Sequence, residues 1–151
     1  MKRIILLLSI IIIGIICMGQ NHYHVCDVTM GITTVGEIVY IDDYGFVLFD
    51  RSINKYDDPG LSVYLGRTKE YAVQTINAMK MLRKTGKTDT PYITKGYNNA
   101  STKLVITKIW GVDSLIIIVD GMPGYSLVLD NLVIYSERYI NIINGFELGL
   151  Y

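Results

Sequence analysis

The chain has 151 residues, half of them hydrophobic and 19% charged, with 14 basic residues set against 14 acidic ones. That length supports one independent hydrophobic core rather than two generous ones. The charge balance excludes the strongly basic domain of a nucleic-acid binder, and no glycine-rich phosphate loop or Gly-x-Ser-x-Gly elbow is present.

Met1, Lys2 and Arg3 lead an apolar run over residues 4–18 that only Ser9 and Gly14 interrupt. A cationic head followed by about 15 apolar residues is short for a bilayer span, which takes about 20, and has the form of an export signal. Cleavage after Gly19 sets Cys17 and Gly19 at the two positions that favour small residues and leaves Gln20 as the new terminus. Two alternatives stay open. One is lipid attachment at Cys17, against which the bulky Ile15 and Ile16 argue; the other is retention of the segment as an anchor. The expected location is extracytoplasmic, periplasmic or secreted, with membrane attachment only under those alternatives. After cleavage Cys26 is alone, so no internal disulfide staples the core, and a lone thiol of this kind acts as a small buried hydrophobe.

Residues 20–34 show no firm periodicity and read as a tail with an edge strand around 24–28. Apolar stretches 37–41 and 46–49 flank Asp42-Asp43-Tyr44-Gly45, a turn-forming tetrad. Next comes the first copy of a near-repeat: Pro59-Gly60-Leu61-Ser62-Val63-Tyr64-Leu65 matches Pro123-Gly124-Tyr125-Ser126-Leu127-Val128-Leu129 at four of seven positions. Each copy reads as a Pro-Gly turn feeding a strand that runs into a helix.

The first helix is well specified. Thr68 is the N-cap, Glu70 suits the positive end of the helix dipole, and Arg83 and Lys84 precede Gly86. Its inward face is expected to hold Tyr71, Ala72, Thr75, Ile76, Ala78, Met79 and Leu82, with Val73 as a misfit. Residues 86–100, with Pro91, Gly96 and Asn98-Asn99, read as a flexible link between halves. Strands 104–110 and 115–119 then flank Gly111-Val112-Asp113. A second helix is expected from an Asp130 N-cap to Gly145, with Leu132, Tyr135, Tyr139, Ile140, Ile142 and Ile143 inward; a strand over 132–135 is the alternative.

Together these elements predict an α+β fold in two layers: an antiparallel sheet of about six strands with two helices on one face, built from a strand-strand-strand-helix unit repeated about a pseudo-two-fold axis. The division is a signal peptide (1–19), an N-terminal tail or edge strand (20–34) and one domain (35–151). Stretches 46–49 and 115–119 are apolar at successive positions, so both faces of the sheet need cover. The chain's own segments supply it, or the second face docks a protein partner or another copy through Tyr64, Trp110 and Val128.

Few residues suit chemistry. His22, His24 and Cys26 alternate, so a regular strand would bring all three to one face, a donor set that suits zinc or copper. With no further ligand cluster, a solvated tail is the simpler reading, and neither metal nor cofactor is expected. Asp42, Asp43, Asp57 and Asp58 could meet at one end of the sheet as an acid/base pair or a weak calcium site, although aspartates in such places usually form turns. Lys80, Arg83, Lys84, Lys87, Lys95, Lys103 and Lys108 face only Asp89 within residues 80–108, a solvated stretch or a patch for an acidic surface. No catalytic residue is assigned. The expected function is that of an exported, non-catalytic binding or interaction module, with a small hydrolase using the loop carboxylates as the alternative.

Overall fold

The computed structural model describes residues 20–51, 62–86, 92–95, 101–109, 111–119, 122–125 and 127–149. The fold is α+β, with two four-stranded antiparallel sheets in place of the single sheet expected. Strands β1 (His22–Met30), β2 (Thr33–Ile41), β3 (Gly45–Asp50) and β4 (Ser62–Gly66) pair in chain order. Helix α1 (Lys69–Thr85) follows, then β5 (Tyr92–Lys95), β6 (Ser101–Ile109), β7 (Val112–Val119) and β8 (Met122–Tyr125), which also pair in order. The chain continues through α2 (Leu127–Ile134) and α3 (Ser136–Gly145).

One core serves both sheets. Ile38, Phe46, Leu48 and Leu65 from the first sheet pack with Leu104 and Leu115 from the second and with Ile76, Leu129, Leu132 and Tyr139 from the helices. Helix α1 touches β4, β6 and β7, and α2 touches β1, β2 and β7, so the helices join the sheets rather than lining one face of a single sheet. Among the described residues no helix is long and apolar enough to cross a membrane.

The turn-forming tetrad closes the β2–β3 hairpin as expected. Asp43 sits at φ 62° and Gly45 at φ 114°, while Tyr44 N–H donates to Ile41 O at 3.1 Å. Helix α1 also follows its sequence signals: Thr68 Oγ1 accepts Tyr71 N–H, and Gly86 caps the far end in the left-handed conformation. Its buried residues are Ala72, Ile76 and Met79, with Val73 packed beside them and Tyr71 61% exposed. The apolar stripe is therefore rotated toward Val73, because α1 is wedged between α2, α3 and two sheets instead of lying on one.

Other expectations change. The edge strand expected around 24–28 is β1, longer than expected and followed within residues 20–34 by the start of β2, and the expected linker contains β5, whose Tyr92 pairs with Leu104. The seven-residue near-repeat does not map onto equivalent structure: Val63, Tyr64 and Leu65 lie in β4, whereas Leu127, Val128 and Leu129 open a helix. The expected second helix is two helices broken at Tyr135, whose φ of −105° and ψ of 29° leave the helical region. Ile134 and Tyr135 stand exposed at the break while Leu132, Val133 and Ser136 on either side are buried, so the break resets the inward face. Asp130 is not the N-cap. It lies in the first turn of α2, and its Oδ1 accepts Leu115 N–H at 3.0 Å and faces Arg83 Nε at 3.4 Å.

Gly36 fixes how α2 meets the first sheet. A Cβ there would fall 2.4 Å from both Phe49 O and Val128 Cγ2, so only glycine lets the helix approach β2 this closely.

Candidate functional site

The alternating donors His22, His24 and Cys26 part company at a β-bulge. His24 pairs with Val39 and Cys26 with Ile38, which leaves Val25 as the extra residue of β1. Beyond the bulge the alternation inverts. Cys26 turns with Val25 onto the core side, packed near Ile38, while Asp27 lies opposite Glu37. Burial pushes the Cys26 thiol up to about 11, with Arg138 pulling the other way, which disfavours the thiolate. His22 pairs with Ile41 and is exposed.

In place of the alternating His22, His24 and Cys26, the residues His24, Asp27 and Glu37 come together. Their donor atoms all lie within 4.8 Å of one another. His24 Nδ1 stands 3.3 Å from Glu37 Oε2, and His24 Nε2 stands 3.8 Å from Asp27 Oδ1. Arg51 takes the other oxygen of Glu37, its Nε donating to Oε1 at 3.2 Å. Glu37 is the least exposed member, with 17% of its side chain exposed against about half for His24, Asp27 and Arg51.

The residues offered as sheet-face anchors do not meet. Tyr64 lies half-buried on the outer face of the first sheet, stacked edge-on against Tyr44 at 4.9 Å and donating its hydroxyl to Tyr44 O. Val128 is 1% exposed in the shared core and offers nothing to a surface. Trp110 lies outside the described residues. Beneath Tyr44, Phe49 and Tyr64, the outer-face residues Val39, Ile41 and Val47 are buried.

The carboxylates divide in the same way. Asp42 Oδ2 accepts from Asn21 Nδ2 at 3.1 Å and from the Tyr23 hydroxyl at 3.3 Å, tying β1 to the hairpin turn; Asp43 is exposed within that turn. Asp57 and Asp58 lie outside the described residues. Within the basic stretch, Lys80 faces Glu137 at 3.8 Å, Arg83 faces Asp130 and Lys108 faces Asp113 at 3.8 Å, which neutralises part of the expected patch.

One groove joins parts of the chain that sequence spacing does not connect. Its volume is about 540 Å³, and it is lined by Tyr40 of β2, Phe46 of β3, Arg67 to Glu70 at the start of α1, and Phe146 to Leu148 after α3. Its floor is an aromatic triad with ring centroids 5.1 Å apart for Tyr40–Phe46, 5.8 Å for Tyr40–Phe146 and 5.9 Å for Phe46–Phe146. Two of the contacts are edge-on and one is tilted, and such ring pairs add to the energy of burial. At the rim, Lys69 Nζ donates to Asn144 O at 3.0 Å, which anchors the end of α3 to the start of α1. A hydrogen bond from Thr68 holds the Glu70 carboxyl below its ordinary range, so the rim carries both signs of charge. An apolar floor with polar groups at its margin is the usual make-up of a small-ligand site.

Compared with known proteins, the chain matches no family model, no curated protein and no solved structure, so its functional reading rests on this geometry.

Proposed function

We propose that the protein is an exported, non-catalytic binding module that works outside the cytoplasm and takes an amphiphilic ligand in the groove floored by Tyr40, Phe46 and Phe146. The observation that carries this reading is the groove: rings already packed against one another present apolar surface without further ordering, which lowers the entropic cost of binding. Arg67, Lys69, Glu70 and Glu147 give a charged end of the ligand a partner of either sign. The cationic head and apolar run over residues 1–18 support export. Among the described residues the hydrolase alternative has less support, because Asp42 is held by Asn21 and Tyr23 and Asp43 is exposed in the turn beside it.

Two measurements test the proposal. Intact-mass analysis of protein recovered from fractionated cells is expected to find a chain beginning at Gln20 outside the cytoplasm; full-length protein free in the cytosol would overturn export. Titration with anilinonaphthalene sulfonate, an aromatic anion, is expected to show saturable binding by the folded protein that is lost in Phe146→Ala. Binding that survives this substitution with the fold intact would remove the groove as the site.

A further inference from the structure

We propose that His24, Asp27 and Glu37 form a binding site for a divalent transition-metal ion of the zinc class, on the β1 edge of the first sheet and apart from the groove. The site depends on the Val25 bulge. In an unbroken strand Asp27 would lie on the opposite face from His24, and only the extra residue brings the imidazole and both carboxylates to one side. Bulges re-aim side chains in this way next to functional sites.

The spacing suits an ion. Two donors bound to zinc at about 2.0 Å with a tetrahedral angle between them lie about 3.3 Å apart. His24 Nδ1 and Glu37 Oε2 are separated by 3.3 Å in a hydrogen bond, so an ion takes the place of the shared proton once the carboxylate moves off the N–H axis at the same separation. Asp27 faces the other ring nitrogen, Nε2, at 3.8 Å, and its exposed place on the edge strand leaves it room to turn toward Nδ1 as the third donor. One imidazole with two carboxylates favours zinc and its neighbours over the softer ions that thiolates select, and the fourth position stays open to water.

Arg51 is part of the arrangement rather than an obstacle. It binds Oε1 of Glu37 and leaves Oε2 directed at His24, the role that outer hydrogen bonds commonly play in orienting a metal-binding carboxylate. With His24 neutral, the two carboxylates and Arg51 leave one net negative charge for the incoming cation.

The test uses protein purified without a histidine tag, titrated calorimetrically with zinc chloride and followed by visible absorption with cobalt chloride. One ion per chain is expected, with a cobalt spectrum of low coordination number that zinc abolishes. His24→Ala and Glu37→Gln are each expected to weaken binding at least about tenfold, and Arg51→Gln about 10-fold to 100-fold by loosening Glu37. Asp27→Asn, at an exposed edge position, is expected to weaken binding with the circular dichroism unchanged, which separates loss of a ligand from loss of the fold. His22→Ala is expected to leave binding intact. No saturable binding of either ion, or binding that persists in both His24→Ala and Asp27→Asn, would overturn the proposal. Neither result bears on the groove.

Discussion

The phenolic oxygen of Tyr139 accepts the backbone amide of Thr29 at 3.3 Å, linking a fully buried side chain of α3 to β1 across 110 positions of sequence. Thr29 lies where the β1–β2 register shifts a second time, with Val35 as the extra residue on β2. An amide at such an irregularity lacks a regular ladder partner, and leaving it unsatisfied when buried costs about 1–3 kcal/mol. Tyr139→Phe keeps the ring and removes the acceptor. Urea denaturation is expected to show a loss of about 1–2 kcal/mol with an unchanged slope. Parental stability would show that the amide finds another acceptor.

Gly36 gives the sharpest packing test. Gly36→Ala drives a methyl into Phe49 O and Val128 Cγ2, and overpacking of this kind costs about 1–3 kcal/mol or more. Val128→Ala removes one of the two clashes. The double variant is therefore expected to be more stable than the sum of the single losses predicts, while strict additivity would mean that α2 does not rest on β2 at this point.

Cys26 makes stability depend on alkaline pH. Burial raises its pKa from 9.0 to about 11, so within that interval the folded chain keeps a proton that the unfolded chain releases. The stabilising contribution is whole below 9.0 and is lost as the pH rises through about 11. Iodoacetamide, which attacks the thiolate, is expected to modify the native protein slowly at neutral pH and quickly once it unfolds. Cys26→Ser, measured between those two pH values, is expected to flatten the decline; an equal decline would assign it to other groups.

Asp130 holds the second sheet to the helices through one oxygen. Asp130→Ala leaves the Leu115 amide and the half-buried Arg83 without their partner, and a loss of about 1–3 kcal/mol is expected. Arg83→Ala is expected to cost less, because Leu115 keeps its acceptor. Thermal denaturation of the two variants orders them, and the reverse order would show that the ion pair outweighs the hydrogen bond.

Local chemistry made part of this fold readable. The β2–β3 hairpin and α1 follow from turn and cap residues that act within a few positions, and the α+β class follows from the mixture of short apolar runs with a capped amphipathic helix. Helix α2 was hidden because Val128, Leu129, Asn131, Leu132 and Val133 are buried around nearly its whole circumference, which erases the period that marks a surface helix. The split into two sheets was hidden for a different reason: alternation tells which face of a strand is apolar, but not which strand lies beside it. At the candidate sites, His24 was legible as a donor and its partners were not. Nothing in the side chain of Val25 announces an extra residue, so strict alternation joined His24 to Cys26 instead of Asp27. Phe146 reaches Tyr40 and Phe46 only through the docking of α3, a relation that spacing along the chain does not carry.

The two irregularities of β1 and β2 also bear on how copies of this chain meet. Among the described residues β1 is the outermost strand of its sheet, the position from which a neighbouring molecule ordinarily extends a ladder. Its pairing with β2 never stays in register for more than three residues, and the Asp27 carboxylate with the His24 imidazole makes the rim polar. A foreign strand laid against it loses alignment almost at once. Stacking of molecules edge to edge is thereby discouraged, and crowding at high concentration has no straight template on this side from which a fibre could grow.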